Sequence, residues 1–249
     1  MKEGSAYSAL ASCYDALMKQ EDYAAQIAHL TALLKANCAG KKGVDLGCGS
    51  GIFTEALAKI GYRMTGVDLS EEMLTVAQNR CARYPVSFFL QDIAALRLPE
   101  KYDFMTAVTD GFNYIPLKRA EGVLKRIASH LTDGGLLYLD LSSAYKLRNV
   151  LGNNLFGEDR EGLSDLWFNR LFEDCVEMDL SFFFQQKDGK FIKKEEHHKQ
   201  YIYETDALQA LLKKTGFTVL SVTDKNGAPF DERSERVQIL ARYIKHGNQ

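Results

Sequence analysis

Nothing constrains this chain more than the run Val44-Asp45-Leu46-Gly47-Cys48-Gly49-Ser50-Gly51. A short apolar strand enters three alternating glycines, and Phe53, Ala56, Leu57 and Ile60 then follow at helical spacing, so the segment reads as strand, tight turn and helix. The glycines let the backbone turn sharply and approach a ligand closely, and the helix N-terminus adds free amides. The pattern then repeats. Residues 63–68 form a strand, Ser70 caps a helix with Glu71 and Glu72 in its first turn, and Met73, Leu74 and Ala77 face inward. Further strands are predicted at 86–90, 102–109 and 136–141, with a helical stripe of Leu117, Ala120, Leu124, Ile127 and Leu131 between the last two. Strands alternating with helices predict right-handed crossovers and a parallel sheet covered on both faces.

Near residue 142 the pattern changes. Residues 142–170 read as irregular and polar, whereas 176–185 alternate with period two, and Asp188-Gly189 marks a two-residue hairpin turn after which 190–203 pair back. That register sets His197 opposite Leu180 and Glu195 opposite Phe182. The hairpin is then either a roof over an active site or a charged guard on a sheet edge. A helix capped by Thr205 or Asp206 and stopped by Gly216 follows, with closing strands at 217–222 and 237–244. The predicted organisation is a core of residues 1–141 and 204–249, interrupted by an inserted β subdomain at 142–203.

The length of 249 residues and 46% hydrophobic content suit one large globular domain with an insertion. With 31 Lys and Arg against 33 Asp and Glu there is no general pull toward nucleic acid or an anionic membrane, and neither partner is expected. The N-terminus lacks the apolar run of a signal peptide and no stretch is long enough to span a bilayer, so a cytoplasmic protein, monomer or homodimer, is expected. Five cysteines without a CxxC pair read as reduced thiols, and five histidines without ligand spacing argue against a metal.

The glycine loop departs from a dinucleotide fingerprint, because Ile52 stands where the third glycine would be. Asp45, just ahead of the loop, would repel a pyrophosphate but attract the amino and sulfonium groups of S-adenosylmethionine. Asp68 ends the second strand about twenty residues after the first glycine, where a carboxylate can accept both ribose hydroxyls. Asp92 is placed to accept from an adenine amino group, with Leu69, Met73 and Ile93 sandwiching the ring. Cys48 has no basic neighbour in sequence and reads as a packing residue rather than a nucleophile.

Through these motifs, together with Gln91-Asp92-Ile93 and Tyr102-Asp103, the chain resembles the class I S-adenosylmethionine-dependent methyltransferases. Residues 7–15, Asp110-Gly111-Phe112-Asn113-Tyr114-Ile115 and the late hairpin make it similar to a bacterial small-molecule subgroup, in which Ser often stands at the position of Gly111. The resemblance implies an α/β fold: a doubly wound, mostly parallel seven-stranded sheet with an inserted antiparallel β subdomain. It also implies transfer of a methyl group from S-adenosylmethionine to a small-molecule N or O nucleophile, leaving S-adenosylhomocysteine. The implied cofactor residues are Tyr7 and Tyr14 as a lid, then Asp45, Gly47, Cys48, Gly49, Gly51, Asp68, Leu69, Met73, Gln91, Asp92, Ile93 and Asp110. Asp110, Asn113, Tyr114 and His197 are the catalytic candidates, although Asn113-Tyr114 could equally cap and pack the next helix. Methylation of RNA or protein is the rival within enzymes, opposed by the lack of a basic tail, an RNA-binding module or an Asn-Pro-Pro-Tyr motif. A cofactor-binding protein without catalysis is the rival outside them.

Overall fold

The computed structural model describes residues 23–38 and 40–245; Tyr7, Tyr14 and Cys13 lie outside the described residues. The chain runs α1 (Tyr23–Asn37), β1 (Lys42–Leu46), α2 (Ile52–Lys59), β2 (Arg63–Asp68), α3 (Glu71–Arg80), β3 (Ser87–Leu90), β4 (Tyr102–Ala107), α4 (Leu117–His130) and β5 (Leu131–Ser142). After β6 (Leu155–Arg160), β7 (Leu163–Leu171), β8 (Cys175–Gln185) and β9 (Phe191–Tyr201) come α5 (Thr205–Lys214), β10 (Phe217–Thr223) and β11 (Arg236–Tyr243). A seven-stranded sheet has the order β10-β11-β5-β4-β1-β2-β3, and β6-β7-β8-β9 form a separate antiparallel sheet. Strands β1 to β5 pair in parallel, while β11 runs antiparallel to both β5 and β10. Strand order reverses between β1 and β4, and that crevice at the carboxyl ends is where such sheets bind ligands.

Apolar side chains cover both faces. Leu124, Ile127, Leu208 and Leu212 pack with Leu46 and Met105 on one side, and Leu30, Leu34, Phe53 and Leu57 pack with Phe104 and Leu136 on the other. Among the described residues no helix is long and apolar enough to cross a membrane.

Three sequence expectations need correction. Leu131 does not continue the helix but opens β5 opposite Tyr102, because the strand starts before the glycines, with Gly134 in the left-handed region. Strand β4 stops at Ala107, since Thr109 and Asp110 adopt φ of 49° and 68° and turn the chain out of the sheet. Residues 142–170 are not irregular throughout. They contain β6 and β7, hidden from pattern reading because β7 turns Asp165 and Asn169 inward and leaves Leu166 and Phe168 exposed.

The hairpin register also differs. Gln186 N–H donates to Lys190 O at 2.7 Å and Gly189 is left-handed with φ of 82°, so Lys187-Asp188-Gly189 form a three-residue loop. One extra loop residue shifts every cross-strand pair: His197 stands opposite Asp179, and His198 opposite Met178. A shift of one reverses the faces, so His197 is exposed and His198 buried.

Candidate active site

The glycine loop is stitched to β2, with the Gly47 and Cys48 amides donating to Val67 O at 2.7 and 3.0 Å. Gly49, at φ of 51°, has open space where a Cβ would project, so its backbone is bare toward the cleft. Gly51 serves packing instead. A Cβ there would lie 2.9 Å from the Ala77 Cβ, so this glycine lets the loop close against α3.

A cavity of about 380 Å³ lies over the loop, within the size range of small-molecule sites. Gly47, Cys48, Gly49, Asp68, Leu69, Met73, Gln91, Asp92, Ile93 and Tyr114 all line it. Of the sequence-derived candidates in the described residues, Asp45, Gly51, Asp110, Asn113 and His197 do not. Asp68 Oδ2 accepts from Gly49 N–H at 2.8 Å and Oδ1 from Ser70 N–H at 2.9 Å, which fixes the carboxylate while leaving lone pairs for two hydroxyls. Burial lifts its pKa, and the Ser70, Gly49 and Leu69 amides oppose that rise. Asp92 caps a short 3₁₀ turn, accepting from Ala94 N–H at 2.8 Å, and its other oxygen lies 3.6 Å from Arg119. The Gln91 amide is spent on Arg97, donating to its carbonyl and accepting from its N–H. Cys48 is buried with its sulfur against the Gly66 backbone, and burial raises the thiol well above its ordinary range. The cleft therefore offers bare backbone, an anchored carboxylate and apolar walls.

Asp45 lies beneath the loop, not in the cleft. It is 1% exposed and accepts from Thr54 Oγ1 at 2.6 Å and Thr106 Oγ1 at 3.1 Å. Burial pushes its pKa up to about 6, partly offset by the two threonines and increased further by Asp68. The folded state thus holds this proton more tightly than the unfolded chain, so stability falls as pH rises from about 4 to about 6 and stays lower above that. Asp45→Asn is expected to raise the melting temperature at pH 7.5, by a stability gain of up to about 3 kcal/mol that vanishes near pH 4. Calorimetric melting at the two pH values checks this, and a gain independent of pH would exclude the carboxyl as its source.

Beyond β4 the strained turn at Thr109 and Asp110 is held by Asp140, whose Oδ2 accepts from Thr109 N–H at 3.2 Å and whose carbonyl accepts from Asp110 N–H at 3.1 Å. Arg236 then bridges the two acids: Nη1 donates to Asp110 Oδ1 at 2.6 Å and Nε to Asp140 Oδ1 at 3.1 Å. Burial alone would raise the Asp110 pKa, but Arg236 and then Lys146 outweigh it and hold the carboxyl below its ordinary value. Asp110 is therefore committed to an ion pair rather than facing the cofactor cleft. Asn113 is fully buried and clamps backbone, donating to Ser142 O at 3.2 Å and Tyr201 O at 3.1 Å while accepting from Ser142 N–H at 3.0 Å. This corrects its assignment as a catalytic group. His197 is likewise corrected, since it lies on the outer face 2.7 Å from Asp179. Arg236, Asp140, Glu196 and His198 carried no sequence signal apart from the adjacency of His197 and His198.

A second cavity of about 890 Å³ adjoins the first, and Thr109 and Tyr114 line both. Its walls are Asp110 and Arg236 from the core, Lys146 from the segment that follows β5, and Asp165, Trp167, Met178, Phe182, His198 and Gln200 from the second sheet.

A parallel sheet with a reversed antiparallel edge and a glycine-and-acid cleft at its switch point define an α/β enzyme of nucleoside-bearing cofactors. The chain belongs to the class I S-adenosylmethionine-dependent methyltransferases. The family model described as a methyltransferase domain matches residues 44–135. A protein of Geobacillus sp. strain WCH70 that carries a methyltransferase name is 35% identical over 245 residues, 95% of this chain and 99% of that protein. The crystal structure of an S-adenosylmethionine-dependent methyltransferase from Clostridium acetobutylicum ATCC 824 superposes with a TM-score of 0.88 at 29% identity, covering 96% of this chain and 99% of that one. A sugar N-methyltransferase from Streptoalloteichus sp. ATCC 53650, 18% identical, has a TM-score of 0.77 over 93% of each chain and shares the fold.

Proposed function

We propose that this enzyme methylates the nitrogen or oxygen of a small molecule held between the core and the second sheet, with S-adenosylmethionine in the cleft over the glycine loop. One observation carries the reading: the two cavities meet at Thr109 and Tyr114, so a methyl group leaving the first enters the second at a defined point. The bound cofactor supplies an electrophilic methyl group with its leaving group already attached. In this reading Gly47, Gly49, Asp68 and Asp92 hold the adenosine end, and Leu69, Met73 and Ile93 enclose the ring. Asp45 contributes through the field of its buried carboxylate rather than by contact. Residues 142–203 form the acceptor-binding unit, because β7 turns Asp165 and Asn169 inward where an ordinary core would take apolar residues. Positioning the acceptor in line and excluding water is the protein's main contribution.

Incubation with S-adenosylmethionine labelled in its methyl group and a panel of amino sugars, amino alcohols, phenols and hydroxy acids tests this reading. Label is expected in a panel compound at the expense of the cofactor. Label confined to RNA or protein fractions of a lysate would overturn the small-molecule assignment. Calorimetry with S-adenosylmethionine, S-adenosylhomocysteine and NAD tests the cleft separately, and tighter binding of NAD would refute it.

A further inference from the structure

Tyr114 Oη lies 2.9 Å from His198 Nδ1, and His198 Nε2 lies 2.9 Å from Glu196 Oε2. The side chains of His198 and Glu196 are 3% and 2% exposed. Burying such a pair carries a desolvation cost, and His198 lines the second cavity, so the pair calls for a role. The partners come from different parts of the fold. Tyr114 sits on the turn after β4, and His198 and Glu196 are on β9. That turn is tied to the end of β9 by Asn113 donating to Tyr201 O, and by Tyr203 Oη donating to Ile115 O at 2.6 Å, which presets the contact between Tyr114 and His198. Asp110, Lys146, Arg236, Arg160 and Asp165 face the same cavity, with Asp110 paired to Arg236 and Asp165 lying 3.9 Å from Arg160.

We propose that Tyr114, His198 and Glu196 form a relay that removes the acceptor's proton during methyl transfer, a proposal that rests on the methyl-transfer reading above. The Glu196 carboxylate accepts from Nε2–H, which leaves Nδ1 as acceptor for the Tyr114 phenol hydrogen. As the acceptor's oxygen or nitrogen bonds to the methyl carbon, the carbon–sulfur bond breaks and its electron pair stays on sulfur. The acceptor's proton passes to Tyr114 Oη while Tyr114's own hydrogen passes to His198 Nδ1. The positive charge lost at the sulfonium reappears on the imidazolium, held by Glu196. Tyr114, which lines both cavities, is the catalytic residue, and Glu196 is a positioning residue that fixes the tautomer.

The probe is the hydroxyl compound of the panel with the highest turnover. Tyr114→Phe and His198→Ala are each expected to lower kcat by about a hundredfold or more, with the calorimetric Kd for S-adenosylmethionine changed by less than about threefold, and Glu196→Gln by about tenfold. Added imidazole is expected to restore part of the His198→Ala rate and none of the Tyr114→Phe rate. A folded His198→Ala enzyme with wild-type kcat, or one that loses rate only in step with cofactor affinity, would overturn the relay. Nitrogen-15 spectra of the histidines decide without any acceptor: the His198 signal, assigned by its loss in His198→Ala, is expected as the Nε2–H tautomer and should move in Tyr114→Phe. An Nδ1–H tautomer would overturn the relay. Failure of every panel compound would count instead against the small-molecule reading.

Discussion

Arg236→Met is expected to destabilise the protein by about 3–5 kcal/mol, the usual cost of removing one partner from a buried ion pair. For a chain of this size that corresponds to a drop in melting temperature of roughly 6–20 °C. Arg236 is mostly buried between Asp110 and Asp140, and the variant leaves both carboxylates without their shared cation. The Asp110 pKa lies below its ordinary value in the fold, so the stability it contributes is present above about pH 4 and lost as pH falls below that. The difference between wild type and variant should therefore be largest at neutral pH and shrink in acid. Adding Asp110→Asn should recover part of the loss, because one stranded charge is removed. Melting curves at pH 7.5 and at about pH 3 decide the matter, and a loss unchanged by pH would mean that packing rather than charge carries it. Asp140 also holds the strained turn at Thr109, so the single variant should lose acceptor turnover at temperatures where it is still folded.

Asp68→Ala is expected to weaken S-adenosylmethionine binding by at least about tenfold. Each charge-assisted hydrogen bond contributes about 1.5–3 kcal/mol, and the carboxylate is placed to accept two hydroxyls. Its anchoring by the Gly49 and Ser70 amides adds to the effect, since the variant also frees the loop that faces the cofactor. Calorimetric titration with S-adenosylhomocysteine avoids turnover during the measurement. Asp68→Asn, which retains shape and one acceptor oxygen, should fall between wild type and the alanine variant. Equal affinity in all three proteins would place the ribose elsewhere.

The half of the molecule that shapes the first cavity was legible because its determinants are local. A strand end, a glycine loop and a helix start are consecutive in the chain, Asp68 is the last residue of its strand, and Asp92 follows its strand by two residues. Repetition of that unit also carried the parallel sheet, since a crossover between parallel strands has one allowed hand. Pattern reading failed where the inserted sheet turns polar groups inward. In β7 the buried positions are Asp165 and Asn169, the reverse of the alternation from which a strand is recognised.

The amino-acid sequence by itself determined the core sheet, the loop and the acids along its carboxyl edge, because short-range spacing fixes where each falls on a strand or turn. Only the tertiary structure decided the second cavity and the polar groups around it. Arg236 reaches Asp110 across 126 positions of chain, a distance over which no spacing rule operates. The choice between His197 and His198 hung on one residue in the hairpin loop, and a period of two makes a single-residue shift exchange the faces completely. Asn113 looked equally suited to chemistry and to structure until Ser142 and Tyr201 closed around its amide. A polar side chain takes its role from the partners that long-range folding brings to it.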